Sequence, residues 1–566
     1  MAYLNTKATS QQTFDAIVVG SGISGGWAAK ELCEKGLKTL LLERGRNVEH
    51  VKDYTTAMMH PWEFPHRLNL TEKDRAEDPI QSQGYDESNK HFFVRDHEHP
   101  YIQEKPFSWI RGYQVGGRSL TWGRQCYRLS DLDFEANAKD GKGVDWPIRY
   151  KDIAPWYDYV ESFVGISGQA EGLPQLPDGQ FLPPMELNCL EQQVREQLKK
   201  LYPDRLLTIA RVANLSQGWK GRGPCQYRNL CHRGCPFGGY FSTNAATLPV
   251  AMETGNLTLR PFSIVTEVLY DKDTRKAKGV RIIDTETLET TEYYARIIFL
   301  NASTIGTAAI LLKSVSDAFP NGLGNNNDLV GRNLMDHHIK AGAYGVYRGL
   351  NDQYYAGRRP AGFYIPRFRN INEATRRSDF VRGYGFQGHG EREAWIDNFR
   401  LPGHGTDFKK ELTKPNRWTM WLGGWGEILP YADNRVTLDK TAKDKWGQPL
   451  VRIHFEIGEN EIAMRKDMKE SAAEMLERCG FTEIDAFNFK YVGGECIHEM
   501  GTACMGHDPK TSVLNKWNQV HEAQNVFITD GSCMTSSGCQ NPSLTYMALT
   551  ARACDHAVAL LKNGEL

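Results

Sequence analysis

Apolar positions along this chain switch between a continuous and a helical pattern, and each switch marks an element. Residues 14–19 are a short apolar, β-branched run ending at Gly20, which reads as a buried strand. After Gly20-Ser21-Gly22-Ile23-Ser24-Gly25 comes a helical stretch with Ala28, Ala29 and Leu32 on one face, stopped by Gly36. Residues 37–42 form a second apolar strand, closed by Glu43. Strand patterns return at 263–270 and 279–283, around a polar turn, and again at 293–300, followed by a helix over 303–313. Further strands are expected at 435–438 and 450–455, and an amphipathic helix over 459–479. In the last helix Leu544, Met547, Ala548, Ala551, Cys554, Val558 and Leu561 share a face, with Asn541 as N-cap and Pro542 as first helical residue.

Between these elements the chain is polar and irregular. Residues 51–105 hold His91, His97 and His99 without helical metal-ligand spacing, so they read as a solvated loop. His337 and His338 end an Asn- and Gly-rich loop and, being adjacent, point in different directions. They read as loop or core histidines. Residues 341–490 mix arginine with aromatics, a pattern shared by nucleic-acid faces and carbohydrate-binding sheets.

Charge favours the second. The 566 residues carry 68 Lys+Arg against 69 Asp+Glu, so no global field recruits nucleic acid or an anionic membrane. Hydrophobic residues make up 40%, enough for a sizeable core. The longest apolar runs, such as residues 297–300, fall far short of the roughly 20 residues of a membrane span. The first residues show neither a signal-peptide pattern nor a twin arginine, so the expectation is a soluble chain without its own export signal.

Strand, glycine turn, helix, strand and acid occur in the order of a dinucleotide-binding βαβ unit. The glycines let a pyrophosphate approach a helix N-terminus, and Glu43, 18 residues beyond Gly25, suits ribose hydroxyls. The fingerprint alone does not choose between NAD and FAD; the ending Glu43-Arg44-Gly45 leans to FAD. Gly116 and Gly117, in a segment running Val115 to Trp122, permit backbone to lie against something flat. Three of the 12 cysteines, Cys225, Cys231 and Cys235, fall within 11 residues, and Pro236 follows. That spacing suits a three-iron cluster, zinc with a fourth ligand, a disulfide plus a thiol, or reduced cysteines.

Together the glycine fingerprint, VGGRSLTW, VGRNLMDH, HEMGTACMG, FITDGS and NPSLT resemble the glucose–methanol–choline (GMC) oxidoreductase family, in family order across the chain. The resemblance implies an α/β fold of two interleaved domains. One is a Rossmann-like FAD domain from 1–130, 206–335 (with the cysteine loop) and 495–566. The other is an α+β substrate domain on an antiparallel sheet, from 131–205 and 336–494. It implies FAD contacts at Gly20, Gly22, Ser24 and Gly25, at Glu43 and Arg44, and at Gly116, Gly117 and Ser119. Val265, Asp530 and Gly531, then Asn541, Pro542 and Thr545, complete that set. His498 and Asn541 match the pair that faces the flavin: His498 as base for a hydroxyl proton while hydride leaves for flavin, Asn541 as hydrogen-bond donor. Some members tether FAD through a histidine where this chain has Thr121, so dissociable FAD is expected.

The cysteine spacing is similar to that of bacterial sugar dehydrogenase flavoprotein subunits, where it holds a [3Fe–4S] cluster. That implies a dehydrogenase oxidising the C3 hydroxyl of glucose or glycosides, with electrons leaving to a cytochrome c-type acceptor. It also implies a small subunit that carries the export signal and a periplasmic home, or the cytoplasm if the chain acts alone. The alternatives are a gluconate 2-dehydrogenase-like subunit, and a sugar oxidase or hydroxynitrile lyase with a structural metal.

Overall fold

The computed structural model describes residues 12–355, 359–393, 403–413 and 417–566. Residues 1–11, at the start of the segment that carries the export-signal expectation, and 356–358, 394–402 and 414–416 of the arginine- and aromatic-rich stretch lie outside them. The first sheet is built on β1 (Thr13–Val19), β2 (Thr39–Leu42), β3 (Leu257–Arg260) and β4 (Thr290–Leu300), all parallel. Val18 lies between Phe299 and Leu41, and Leu41 beside Leu259, so one level of the sheet is apolar from edge to edge. Such continuous runs are what strands buried on both faces require. Helix α1 (Ile23–Glu34) makes the crossover from β1 to β2, and Gly36, at φ 87°, closes it with a bond from its N–H to the Cys33 carbonyl.

Two helices between these strands divide their allegiance. Helix α2 (Tyr150–Val164) puts Ile153, Tyr157 and Val160 into the core of the first sheet, whereas α3 (Cys189–Leu201) puts Leu190, Val194 and Leu198 into a second core. The stretch 131–205, expected to serve the substrate domain alone, is therefore shared. The reason is that α2 and α3 turn their apolar stripes to different sheets.

The second sheet is antiparallel: β5 (Ala341–Tyr347), β6 (Phe363–Ile365), β7 (Tyr384–Arg392), β8 (Trp418–Glu427) and β9 (Thr482–Asn488), in the order β9-β5-β8-β7-β6, with Thr208–Ile209 beyond β6. Helix α3 and α4 (Glu459–Arg478) cover one face, where Met464, Met468, Met475 and Leu476 meet Phe386, Met420 and Leu422. By the two-residue alternation of strands, Gln387, His389, Trp421 and Trp425 occupy the opposite face. The chain then returns to the first sheet as β10 (Ala523–Ile528), parallel to β4, and ends in α5 (Ser543–Lys562), which joins α1 on one face of that sheet. Strands Arg435–Lys443 and Pro449–His454 also pack Val436 and Ile453 into the first core. Among the described residues no helix is long and apolar enough to cross a membrane.

Candidate active site

A cavity of about 390 Å³ opens at the carboxyl ends of β1 and β2, lined by Glu43 and Arg44 as well as by His498 and Asn541. This is where open α/β sheets bind ligands. Gly20 has φ 90°, and a Cβ there would sit 2.3 Å from the Asn301 carbonyl oxygen. A Cβ on Gly22 would meet no protein atom within 4 Å, so the space beside it belongs to the cavity. Helix α1 begins at that point and presents the N–H groups of its first turn. Glu43 is buried and accepts bonds from the Ser21 backbone N–H at 3.1 Å, the Ser21 hydroxyl at 2.5 Å and the Gly45 N–H at 2.9 Å. Burial pushes its pKa up. Three donors leave acceptor capacity for a ribose hydroxyl. The donor set and the open wall at Gly22 fit a flavin dinucleotide.

Ser24, Gly117, Ser119, Val265, Asp530, Gly531 and Pro542 line the same cavity. Gly25, Gly116 and Thr545 do not, and each has a packing role instead. A Cβ on Gly25 would lie 1.7 Å from the Gly20 oxygen, and one on Gly116 would lie 1.8 Å from Asn244 Oδ1. The Thr545 hydroxyl bonds to the Tyr157 hydroxyl at 2.8 Å.

His498 is held by backbone and side chain. Its N–H donates to buried Asp336 at 3.0 Å, and its Nδ1 lies 2.8 Å from His337 Nδ1. His337 Nε2 lies 2.9 Å from the Gly538 carbonyl oxygen. A carbonyl only accepts, so His337 carries its proton on Nε2 and offers a lone pair at Nδ1. The Nδ1–Nδ1 contact then requires the His498 proton on Nδ1. His498 Nε2 is left with its lone pair, which faces the Asn541 Nδ2 donor at 3.5 Å. Burial first, then His337 and the Arg118 charge, hold the His498 pKa well below the usual value, and burial lowers that of His337 to about 4. Both rings are neutral, and His498 presents an unprotonated nitrogen to the cavity.

Asn541 departs from its expected capping role. Helix α5 starts at Ser543 and receives no side-chain cap. The Asn541 carbonyl oxygen instead accepts from Gln387 Nε2 at 2.7 Å, which turns its NH₂ toward His498. Gln387 accepts in turn from Gln125, and Gln125 from the Tyr127 hydroxyl at 2.5 Å. Arg118 clamps the GGRS segment to the HEMG segment by bonding buried Glu499 at 2.8 Å.

Cys225, Cys231 and Cys235 border a separate small cavity of about 30 Å³ with Asn214 and Tyr240. All 12 cysteines are free, so the disulfide reading fails. The three thiols are not among donor groups that close within 4.8 Å of one another. A single tetrahedral zinc needs thiolates about 3.8 Å apart, so the arrangement is wide for one ion. Tyr240 donates to the Leu120 carbonyl at 2.6 Å, and residues either side of Leu120 line the main cavity. Arg124, which lines that cavity, stacks over Tyr240 at 5.3 Å.

Several site residues escaped the sequence. His337 was expected to be structural; adjacency does send it and His338 opposite ways, but His337 goes to the site. His99, expected in a solvated loop, lines the cavity and stacks on Trp446 at 5.3 Å, and burial lowers its pKa to about 2. Neither Gln387 nor Lys313 belongs to a motif that the sequence marks. Lys313 lines the cavity near Arg44, and burial brings its pKa down to about 8. Only the DHH run carried a usable signal; the others come from chain folded over from elsewhere.

Two family models, both described as GMC oxidoreductase, match residues 14–339 and 430–550. The chain is 32% identical over 568 residues to 2-methyl-1,2-propanediol dehydrogenase of Mycolicibacterium austroafricanum, covering 97% of this chain and 96% of that one. It is 25% identical to the fructose dehydrogenase large subunit of Gluconobacter japonicus, covering 97% and 98%. The crystal structure of pyridoxine 4-oxidase from Mesorbium loti superposes with a TM-score of 0.60 at 15% identity, covering 96% of this chain and 99% of that one, a likeness of fold.

Proposed function

The chain belongs to the GMC oxidoreductase family, flavoproteins that use FAD to oxidise CH–OH donors, and on that premise we propose that it is a dehydrogenase of the C3 hydroxyl of glucosides, yielding 3-keto sugars. Bound FAD would supply the acceptor for the hydride that leaves the carbinol carbon. The observation that carries the reading is the unprotonated His498 Nε2 beside the Asn541 NH₂. His498 accepts the hydroxyl proton, and Asn541 donates a hydrogen bond to the oxygen as charge develops there. His337 holds the His498 tautomer, and Gln387 holds the Asn541 amide. Because Thr121 offers no imidazole for a tether, FAD is dissociable.

A sugar is favoured by the face of the second sheet that bears Gln387. Trp421 stands edge-on to Trp425 at 5.9 Å and beside His389 at 5.8 Å. Aromatic rings on one sheet face suit the C–H faces of a pyranose. The 32% identity to a diol dehydrogenase favours a second reading, a small branched 1,2-diol. A gluconate 2-dehydrogenase-like activity is a third reading within the same chemistry.

Cys225, Cys231 and Cys235 would hold a [3Fe–4S] cluster, whose chemistry would be one-electron transfer toward a cytochrome c-type acceptor. The shared wall of Leu120, Arg124 and Tyr240 supports that exit. A small subunit supplying export, and a periplasmic location, complete the proposal; the similarity to a large subunit supports a partner. The test is product identification after anaerobic turnover with glucosides, gluconate, fructose and 2-methyl-1,2-propanediol. A 3-keto product supports the reading; flavin bleached by the diol alone replaces it with the second.

A further inference from the structure

Beside the base lies a thiol that the oxidation chemistry does not use. Cys496 Sγ is 3.3 Å from His498 Nδ1, which is 2.8 Å from His337 Nδ1. The three donor atoms lie within 4.8 Å of one another, the one such trio found among the described residues. In a tetrahedral zinc site, nitrogen and sulfur ligands sit about 3.3–3.8 Å apart. The ring-to-ring contact need open by only about 0.5 Å to reach that range. The geometry points to a binding site for a thiophilic divalent cation on Cys496 Sγ, His337 Nδ1 and His498 Nδ1, which silences the enzyme when filled.

Independent features fit the site to a cation. The His337 bond to the Gly538 carbonyl leaves the Nδ1 lone pair aimed at the trio, the arrangement that orients metal-ligating histidines. Asp336 accepts from the backbone N–H of both Cys496 and His498, at 3.3 and 3.0 Å, which fixes the turn carrying two of the ligands. It also sets a buried carboxylate behind that turn. Cys496 and His498 both line the main cavity, which gives an ion a way in and leaves a fourth coordination position for water.

The proton balance explains the silencing. On binding, the Cys496 thiol releases its proton to solvent. His498 keeps its single proton, but Nδ1 now gives its lone pair to the ion, so the proton resides on Nε2. An Nε2–H can donate to a substrate oxygen but cannot take the hydroxyl proton. This consequence rests on His498 being the base.

Cobalt and zinc test the site in the holoenzyme. Co²⁺ should produce the ligand-field bands of tetrahedral, thiolate-bound cobalt to the red of flavin absorption. The bands should weaken in Cys496→Ala and in Cys496→Ser, which keeps the side-chain volume; any cobalt at Cys225, Cys231 and Cys235 is common to all three proteins and cancels. Calorimetry in buffers of different ionisation enthalpy should find about one proton released per Zn²⁺ at the site that the substitutions remove. Zinc should inhibit turnover, and Cys496→Ala should raise the half-inhibitory concentration at least about tenfold against its own zinc-free rate, since even an outer partner of a metal site contributes that much. Equal zinc sensitivity, or cobalt bands unmoved by either substitution, overturns the site. Cobalt bound through Cys496 with turnover undiminished overturns the silencing, and traces the failure to the role given to His498.

Discussion

His498, His337 and Gly538 form a chain in which each proton position follows from the next, and the terminal carbonyl decides them all. His498→Ala should lower turnover at least about 10²-fold, the usual scale for a lost general base, with flavin content unchanged in the absorbance spectrum. His337 acts through His498. His337→Leu removes the acceptor and should cost about 10–100-fold in kcat with little change in KM. His337→Asn, whose amide oxygen can stand where Nδ1 stood, should recover part of the loss. A structural role alone would make the two variants alike in kcat and differ only in thermal stability.

At the level of elements, the β1–α1 turn uses its glycines for different purposes. Gly25→Ala drives a methyl into the Gly20 carbonyl and should destabilise the apoprotein by about 1–3 kcal/mol, read as a lower Tm. Gly22→Ala meets no protein atom, so the apoprotein Tm should hold while flavin binding weakens, read as reduced flavin content after gel filtration. Equal losses of Tm would place both glycines in packing. The cysteine loop is likewise anchored to another segment: Arg233 donates to the Met59 carbonyl at 2.9 Å, and Arg228 to that of Ala57. If Cys231 holds the proposed cluster, Cys231→Ser should lower iron content and the rate of cytochrome c reduction while anaerobic bleaching of the flavin by substrate persists. Full iron content in that variant would remove Cys231 from the proposed cluster.

Across the whole molecule, a charged group ties the two cores together. Buried Arg382 donates to Glu427 on β8 at 2.8 Å, and to Asp140 and Asn137 at 2.9 Å each. Asn137 in turn donates to the Thr535 carbonyl at 2.8 Å, in the chain that leads to Asn541. Arg382→Ala leaves Glu427 buried without its partner and should cost about 3–5 kcal/mol in denaturant unfolding. Because Gln387 and Asn541 sit on opposite sides of this joint, the same variant should lower kcat, a coupling that an isolated surface ion pair would not produce.

The sequence by itself marked β1, β2 and β4 of the first sheet, the glycine turn with Glu43 and the cysteine triplet, and the motifs that carry the family resemblance singled out His498 and Asn541. Those signals are local: continuous apolar runs, a glycine pattern of fixed spacing and short motifs that need no distant chain to be read. Tertiary structure alone decided that His337 reaches His498, that Gln387 takes over the amide expected to cap α5, and that α2 and α3 part company between two cores. The His337 tautomer depends on a carbonyl 201 residues away in the chain, and the Asn541 orientation on a strand 154 residues earlier. No periodicity records which face of a strand will meet which turn. That choice is made when the two sheets bury their remaining polar groups against each other and each donor must find an acceptor.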